Sequence, residues 1–452
     1  MDNKDLTHTK SFQSWQWRVI ICSMLGYSVF YFVRKNWSFV MPLLGKEYGI
    51  TNTSFGIILT LMGLIYGVSK FLNGFIADRA NARWHMSIGL LCCTIINILL
   101  GFSDKMAALM SGEHAGTAFV AAMVNIFAVL LVLNNIFQGT GFAPCNRLMT
   151  HWVPPTELAT KMSIWNMSHS IGAGLASVMC GYIIKSTQDW RLCFWIPAAI
   201  AAAGVLFIVT TLRDTPKSVG LPELPNTKTA LDENDNAEGY KKFVVKMVFK
   251  NPVIWILAFT DLFVYIVRFA VLDWGPTFLQ NGTHHLPASL AGWTVGIFEV
   301  CGCLGMLFGG FVSDKLFHGR AQRVCAIEMF IVALCLFVLW LFRHSIGAVG
   351  MLILLSVAGF FLYGPQALLG VVASNQATKK AASSAVGLIG LCSYASVIFT
   401  GAGLGWYSDK YGWDSLFLIM TVVAILGGLL VASIWGIKKD GYIHEEEPSA
   451  KS

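Results

Sequence analysis

The sequence predicts an all-α polytopic membrane protein whose twelve transmembrane helices form two related six-helix bundles. Three observations predict it. Of the 452 residues, 55% are hydrophobic and only 13% charged, about half the charged share of an ordinary soluble domain. Apolar runs of about 20 residues, the length a helix needs to cross a bilayer, recur from Val19 to Trp435. Finally, motifs of the first half return in the second at a nearly fixed offset. Apolar and polar residues do not alternate in short segments, which argues against an outer-membrane barrel.

The spans are expected at 18–43, 54–76, 84–103, 119–144, 162–185, 190–212, 252–279, 288–313, 323–343, 346–374, 382–407 and 412–437. Residues 1–17 read as a polar N-terminal tail without the compact apolar core and cleavage site of a signal peptide, so the first span serves as the insertion signal. The bundles then occupy 18–212 and 252–437. Between them, 213–251 carries Pro216, Pro222, Pro225 and the polar run from Asp232 to Asn236, the composition of a flexible linker. Residues 438–452 form a polar C-terminal tail.

An even number of spans puts both termini on one side, and Lys and Arg decide which. With the termini inside, 22 of the 32 basic residues fall on inner segments and six on outer ones. Both termini are therefore expected in the cytoplasm. The same bias accounts for the net charge of +7 without a nucleic-acid partner. All eleven cysteines lie in apolar segments without CxxC or Cys/His metal spacing and read as small core-filling residues. No Gly-x4-Gly-Lys-Ser/Thr loop is present, Gly139-Thr-Gly141 reads as helix packing, and no nucleophile–base pair stands out. The chain is expected to be neither an enzyme nor a cofactor protein.

Two arginines carry the most information. Arg34 follows Phe30-Tyr31-Phe32-Val33, and Arg268 follows Val264-Tyr265-Ile266-Val267. A charge at membrane depth costs about 2.5–3.5 kcal/mol on insertion scales and is functional by default. The two lie 234 residues apart. A second pair of motifs agrees: Gly74-x3-Asp78-Arg79-x3-Arg83 and Gly310-x3-Asp314-Lys315-x4-Arg320, with the acids 236 apart. Parallel six-helix repeats are a transporter plan with the binding site at the midplane. In both loops, glycine permits close helix approach, and an acid followed by bases can latch one conformation.

The double loop motif resembles the Major Facilitator Superfamily. Tyr31-Phe-Val-Arg34-Lys-Asn36, Tyr66-Gly-Val-Ser-Lys70, Trp165-Asn-Met-Ser-His169, Val264-Tyr-Ile-Val-Arg268 and Leu272-Asp-Trp274 resemble its organophosphate:phosphate antiporter family. The resemblance implies the major facilitator fold. It also implies exchange of an organic phosphate for inorganic phosphate, with Arg34 and Arg268 gripping the phosphate from opposite halves. A guanidinium suits this role because its planar donor fork matches phosphate. The alternative is pairing with a buried acid such as Asp261 or Asp273.

Tyr27, Tyr31 and Arg34 share a helix face, and Tyr265 precedes Arg268 by the same three residues as Tyr31 precedes Arg34. These tyrosines are expected to line a cavity, together with Tyr66, Tyr363 and Tyr394. Lys70, four residues after Tyr66, must face the cavity or snorkel to an interface, and the resemblance implies the cavity. His169, with Asn166 one turn before it, is implied as a substrate residue. An imidazole of ordinary pKa about 6.5 can gain charge beside a phosphate. Lys35, Asp273 and Glu299 are implied as ion-pair partners that rearrange across the halves, with Asp273-Trp274 alternatively touching the organic part of the substrate. Asp78, Arg79, Arg83, Asp314 and Lys315 form the expected gating loops.

The substrate is less legible. Ala77–Arg83 and the third span look like hexose-phosphate proteins, especially their sensor branch, whereas Phe263–Trp274 fits glycerol-phosphate transporters equally well. Ser383–Leu391 lacks the acid and lysine that one hexose-phosphate branch carries there. Glucose 6-phosphate is the first expectation and glycerol 3-phosphate the second. A hexose-phosphate receptor signalling to a membrane histidine kinase is a reading of a different class. A monomer in a bacterial inner membrane is expected.

Overall fold

The protein is described by a computed structural model covering residues 9–77, 80–223, 242–282 and 285–437. Among these, eleven helices are long and apolar enough to cross a membrane, and a shorter apolar helix, Leu416–Ala432, stands where the twelfth span is expected. The chain divides into two compact units. One holds 1–229 with 287–296, the other 230–286 with 297–452.

In the first unit, α1 (Lys10–Lys35) and α2 (Trp37–Tyr48) together make the first span. It begins eight residues before the expected position because Thr9 caps it, accepting from the Phe12 amide at 3.4 Å. Half of the expected N-terminal tail is therefore helical. Gly49, in the left-handed region at φ 67°, ends α2. Next come α3 (Asn52–Ala77) and α4 (Ala82–Leu100), the latter capped by Asn81. A short α5 (Ser103–Ser111) precedes α6 (Thr117–Gln138) and α7 (Phe142–Trp152), which divide the expected fourth span at Gly139–Gly141. Then follow α8 (Pro155–Thr187), opened by proline at its first position, and α9 (Leu192–Thr211).

In the second unit, Asn251 caps α10 (Pro252–Asn281). It is followed by α11 (Ala288–Lys315), whose first turns belong to the first unit, then α12 (Ala321–Leu341), α13 (Ala348–Gln376), α14 (Thr378–Ile398), α15 (Leu404–Tyr411) and α16 (Leu416–Ala432). A π-helical turn, Phe399–Gly403, joins α14 to α15.

The pairing pattern repeats within each unit. In the first, α1 packs on α8 and α9, and α4 on α6 and α9. In the second, α10 packs on α14 and α16, and α12 on α13 and α16. The outward faces stay apolar. Ile88, Leu91, Ile95 and Ile98 form an exposed stripe along α4, a pattern suited to acyl chains and adverse in water. All eleven cysteines are free thiols, and eight of them are buried.

One end of the first unit is clasped by a pair absent from the sequence-based expectations. Arg147 on α7 bonds the Ala77 carbonyl at 3.3 Å and Asp214 at 3.4 Å. Asp214 in turn accepts from the Ala82 amide at 2.8 Å, and its carbonyl accepts from the Trp152 indole at 3.2 Å. This joins the ends of α3, α4 and α7 around one carboxylate. Elsewhere, Arg191 holds Asp104 at 2.6 Å and Asp189 at 3.1 Å. Burial opposes the charge of Arg191, but these hydrogen bonds outweigh it and raise the group's proton affinity.

Candidate substrate half-sites

Each unit gathers an arginine into an aromatic cradle, half-buried Arg34 in the first and buried Arg268 in the second. In the first, the cradle begins with a break in α1. Val33 leaves helical geometry at φ −95°, ψ 16°. The Trp37 amide, which the Val33 carbonyl would receive in an unbroken helix, is capped instead by the Asn36 side chain at 3.0 Å. The stranded carbonyl is taken up by amide side chains of other helices: Asn134 Nδ2 at 2.9 Å and Asn97 Nδ2 at 3.2 Å. Gln138, one turn from Asn134, holds the Phe30 carbonyl at 3.1 Å. Asn36 Nδ2 ties the break to Asn97 and to the Cys193 carbonyl, both at 2.9 Å. Every member is buried. These positioning amides escaped sequence reading. Their signal was three uncharged amides, Asn97, Asn134 and Gln138, inside apolar spans.

The break sets Arg34 against tyrosines. Its guanidinium carbon lies 3.7 Å from the Tyr66 ring centroid and 5.6 Å from that of Tyr31. Tyr27 stacks on Trp165 at 5.0 Å and meets Tyr31 edge-on at 5.5 Å. Tyr31 also faces His169 at 6.2 Å. His169 shares a 2.8 Å hydrogen bond with Ser170, and Asn166 is half-buried one turn earlier. Lys70 lies one turn from Tyr66, with its ammonium 4.2 Å from the Phe142 ring centroid. Its backbone is fixed by close approach: a Cβ on Gly139 would stand 2.9 Å from the Lys70 nitrogen. The Gly139–Gly141 segment thus packs, and it also breaks the helix. The first unit therefore brings together Tyr27, Tyr31, Arg34, Tyr66 and His169, with Lys70 on the same helix as Tyr66.

In the second unit, Arg268 is 8% exposed. Its Nε donates to the Tyr363 hydroxyl at 3.0 Å, and its guanidinium carbon lies 4.8 Å from that ring's centroid and 5.8 Å from that of Tyr265. Tyr265 faces Tyr394 at 6.3 Å. Glu299 lies 3.6 Å from Arg268 Nη2. That distance gives charge compensation but no hydrogen bond, and both Glu299 oxygens lack a hydrogen-bond partner among the described residues. Glu299 thus stands with the arginine of its own unit. Among the described residues, the ion pair that Arg268 forms is the one with Glu299. Asp261 accepts from Ser393, and Asp273 is half-buried on α10. Trp274 is fully buried, with its indole donating to the Thr400 carbonyl at 2.5 Å.

The residues expected to gate lie in different surroundings. Lys35 is half-buried beside the break in α1. Arg83 lies over Trp84 at 4.9 Å, whereas Asp314 and Lys315 are exposed at the end of α11. Asp78 and Arg79 lie outside the described residues. Among the described residues, no three His, Cys, Asp or Glu side chains are grouped to hold a metal ion.

Removing an amide from the Val33 carbonyl should loosen this scaffold. Asn134→Ala is expected to cost about 1–3 kcal/mol, the penalty for stranding buried polar groups. Thermal unfolding in detergent measures it, and a midpoint equal to that of the parent chain contradicts the assignment.

Residues 23–401 match the Major Facilitator Superfamily. The chain is 33% identical to the glycerol-3-phosphate transporter of Bacillus subtilis, with 93% of each chain covered. It is also 33% identical to a probable hexose phosphate transport protein of Chlamydia pneumoniae, covering 94% of this chain and 92% of that one. The chain belongs to the Major Facilitator Superfamily, in its organophosphate:phosphate antiporter family. At 33% identity, this superfamily member also resembles the membrane sensor protein UhpC of Escherichia coli, with 93% of this chain and 92% of that protein covered. The inward-open xylose transporter XylE of E. coli shares the major facilitator fold, with a TM-score of 0.72 at 15% identity over 96% of this chain and all of that one. Family and fold are those of transporters rather than enzymes.

Proposed function

We propose that this protein exchanges a sugar phosphate, glucose 6-phosphate first among the candidates, for inorganic phosphate by alternating access. One observation carries the reading: an arginine in the first helix of each bundle is cradled by tyrosines. The contacts are 3.7 Å to Tyr66 in one unit and 4.8 Å to Tyr363 in the other. A cation–π contact holds a guanidinium by its face and does not itself use the N–H donors along its edge. Arg34 and Arg268 then each supply donors to the substrate phosphate. Lys70 and His169 add positive charge, and Tyr27, Tyr31, Tyr66, Tyr265, Tyr363, Tyr394 and Asn166 serve its oxygens and hydroxyls. Lys35, Asp273 and Glu299, with the loops around Asp78–Arg83 and Asp314–Lys315, exchange partners as the bundles alternate.

Charge explains exchange. Closing the bundles without cargo desolvates cationic groups at a cost that a phosphate dianion offsets. A protein that crosses readily only when loaded becomes an exchanger. The chain acts as a monomer in a bacterial inner membrane, with both termini cytoplasmic and 213–251 linking bundles 18–212 and 252–437. The UhpC relative supports a second reading, a hexose-phosphate receptor that reports to a sensor kinase.

The test is counterflow from liposomes loaded with labelled inorganic phosphate. Glucose 6-phosphate, glycerol 3-phosphate or 3-phosphoglycerate is added outside. Efflux triggered by glucose 6-phosphate is expected, and efflux triggered by another of the three reassigns the substrate. Binding without efflux selects the receptor. Equal phosphate loss with and without external substrate rejects exchange.

A further inference from the structure

Glu328 is used by neither half-site. It lies at mid-span on α12, is 2% exposed, and neither carboxyl oxygen has a hydrogen-bond partner among the described residues. The side chain enters a notch made by two glycines. A Cβ on Gly309 of α11 would stand 3.1 Å from Glu328 Oε1. A Cβ on Gly364 of α13 would stand 2.6 Å from its carboxyl carbon and overlap Oε2. The helices meet there backbone to backbone, with the Gly309 Cβ position 3.2 Å from the Gly364 Cα. Pro365, directly after Gly364, removes one backbone donor from α13.

The surrounding groups do not compensate a charge in the notch. On α12, Cys325 is near enough to feel both Glu328 and Asp261 of α10. On α13, Tyr363 is bonded to Arg268, which already faces Glu299. On α11, Glu299 precedes Gly309 by ten residues, and Asp314 beyond it is exposed. α16, packed against α12, contains no ionisable side chain. The neighbourhood is therefore acidic or neutral apart from one arginine already engaged. An ionised carboxylate without partners in such a place is strongly disfavoured, whereas the neutral acid is tolerated.

We propose that Glu328 is a proton-binding site, holding a proton while the α11–α13 seam is closed and releasing it to water when the seam opens. The linkage has a definite sign. The folded chain keeps a proton that the unfolded chain releases above the ordinary carboxylate range. Stability must then fall as pH rises, by up to about tenfold in the unfolding equilibrium per pH unit. The inference does not rest on phosphate exchange, because its readouts need no substrate.

The test uses the full chain reconstituted in lipid, examined by infrared spectroscopy at neutral pH, with parallel thermal unfolding from mildly acidic to alkaline pH. Glu328→Gln should remove one carboxylic-acid carbonyl band and flatten the fall of the unfolding midpoint. Asp261→Asn should leave that band in place, which separates the two acids. If Glu328→Gln does not fold, Glu328→Met replaces it, with the same losses expected. A spectrum unchanged by the substitution overturns the proposal, as does an unchanged pH slope. So does a wild-type chain whose only acid band disappears with Asp261→Asn.

Discussion

Replacing either Arg34 or Arg268 by lysine should nearly abolish exchange while leaving the bundles folded. Lysine keeps the charge but loses the planar fork and its stacking on tyrosine. Arg34 lies 3.7 Å from the Tyr66 centroid, and Arg268 donates from Nε to Tyr363 at 3.0 Å. An ammonium can reproduce neither arrangement together with a two-pronged grip on phosphate. Losing one partner of a buried, charge-assisted contact costs about 2–5 kcal/mol, or roughly 30- to several thousand-fold in affinity. Counterflow in liposomes, with circular dichroism as the folding check, measures it. Retention of most of the parent rate in either variant removes that arginine from the site.

Glu299→Ala should have the largest effect on stability. It leaves Arg268, 8% exposed, without the carboxylate that stands 3.6 Å away. Breaking a buried pair from one side costs about 3–5 kcal/mol, because the surviving charge stays buried. The long separation and absent hydrogen bond put this pair at the lower end. Two further results would identify the mechanism. Glu299→Ala combined with Arg268→Ala should cost less than the sum of the single changes. Added inorganic phosphate should raise the unfolding midpoint of Glu299→Ala more than that of the parent chain, since an anion then fills the missing role. Additive costs with no phosphate rescue would assign Glu299 to packing alone.

Much of the architecture was legible because membrane helices announce themselves. Apolar length is a strong local signal, and Arg34 and Arg268 stand out because an arginine at that depth needs a reason. The finer features depend on contacts far apart in sequence. The described ion pair of Arg268 is with Glu299 on α11, a choice set by where α10 and α11 meet. The breaks at Val33 and at Gly139–Gly141 lie inside uniformly apolar text, where periodicity cannot register a stranded carbonyl. The early start of α1 follows from a single capping threonine. Glu328 was one acid in a span until the fold placed glycines of two other helices around it.

The break in α1 has a mechanical consequence. Arg34 immediately follows a carbonyl held by α4 and α6, and precedes a cap that is tethered toward α9 through the Cys193 carbonyl. It therefore sits on an articulated joint whose pins belong to its neighbours. A pull on the guanidinium is borne by three other helices of the bundle rather than dissipated as bending along α1. Conversely, any slide of α4 or α6 re-aims the arginine. With Arg34 in its proposed role, cargo affinity in this half follows how tightly the bundle is drawn together, so substitutions far from the guanidinium, at Asn97 or Asn134, should alter affinity without touching the cargo.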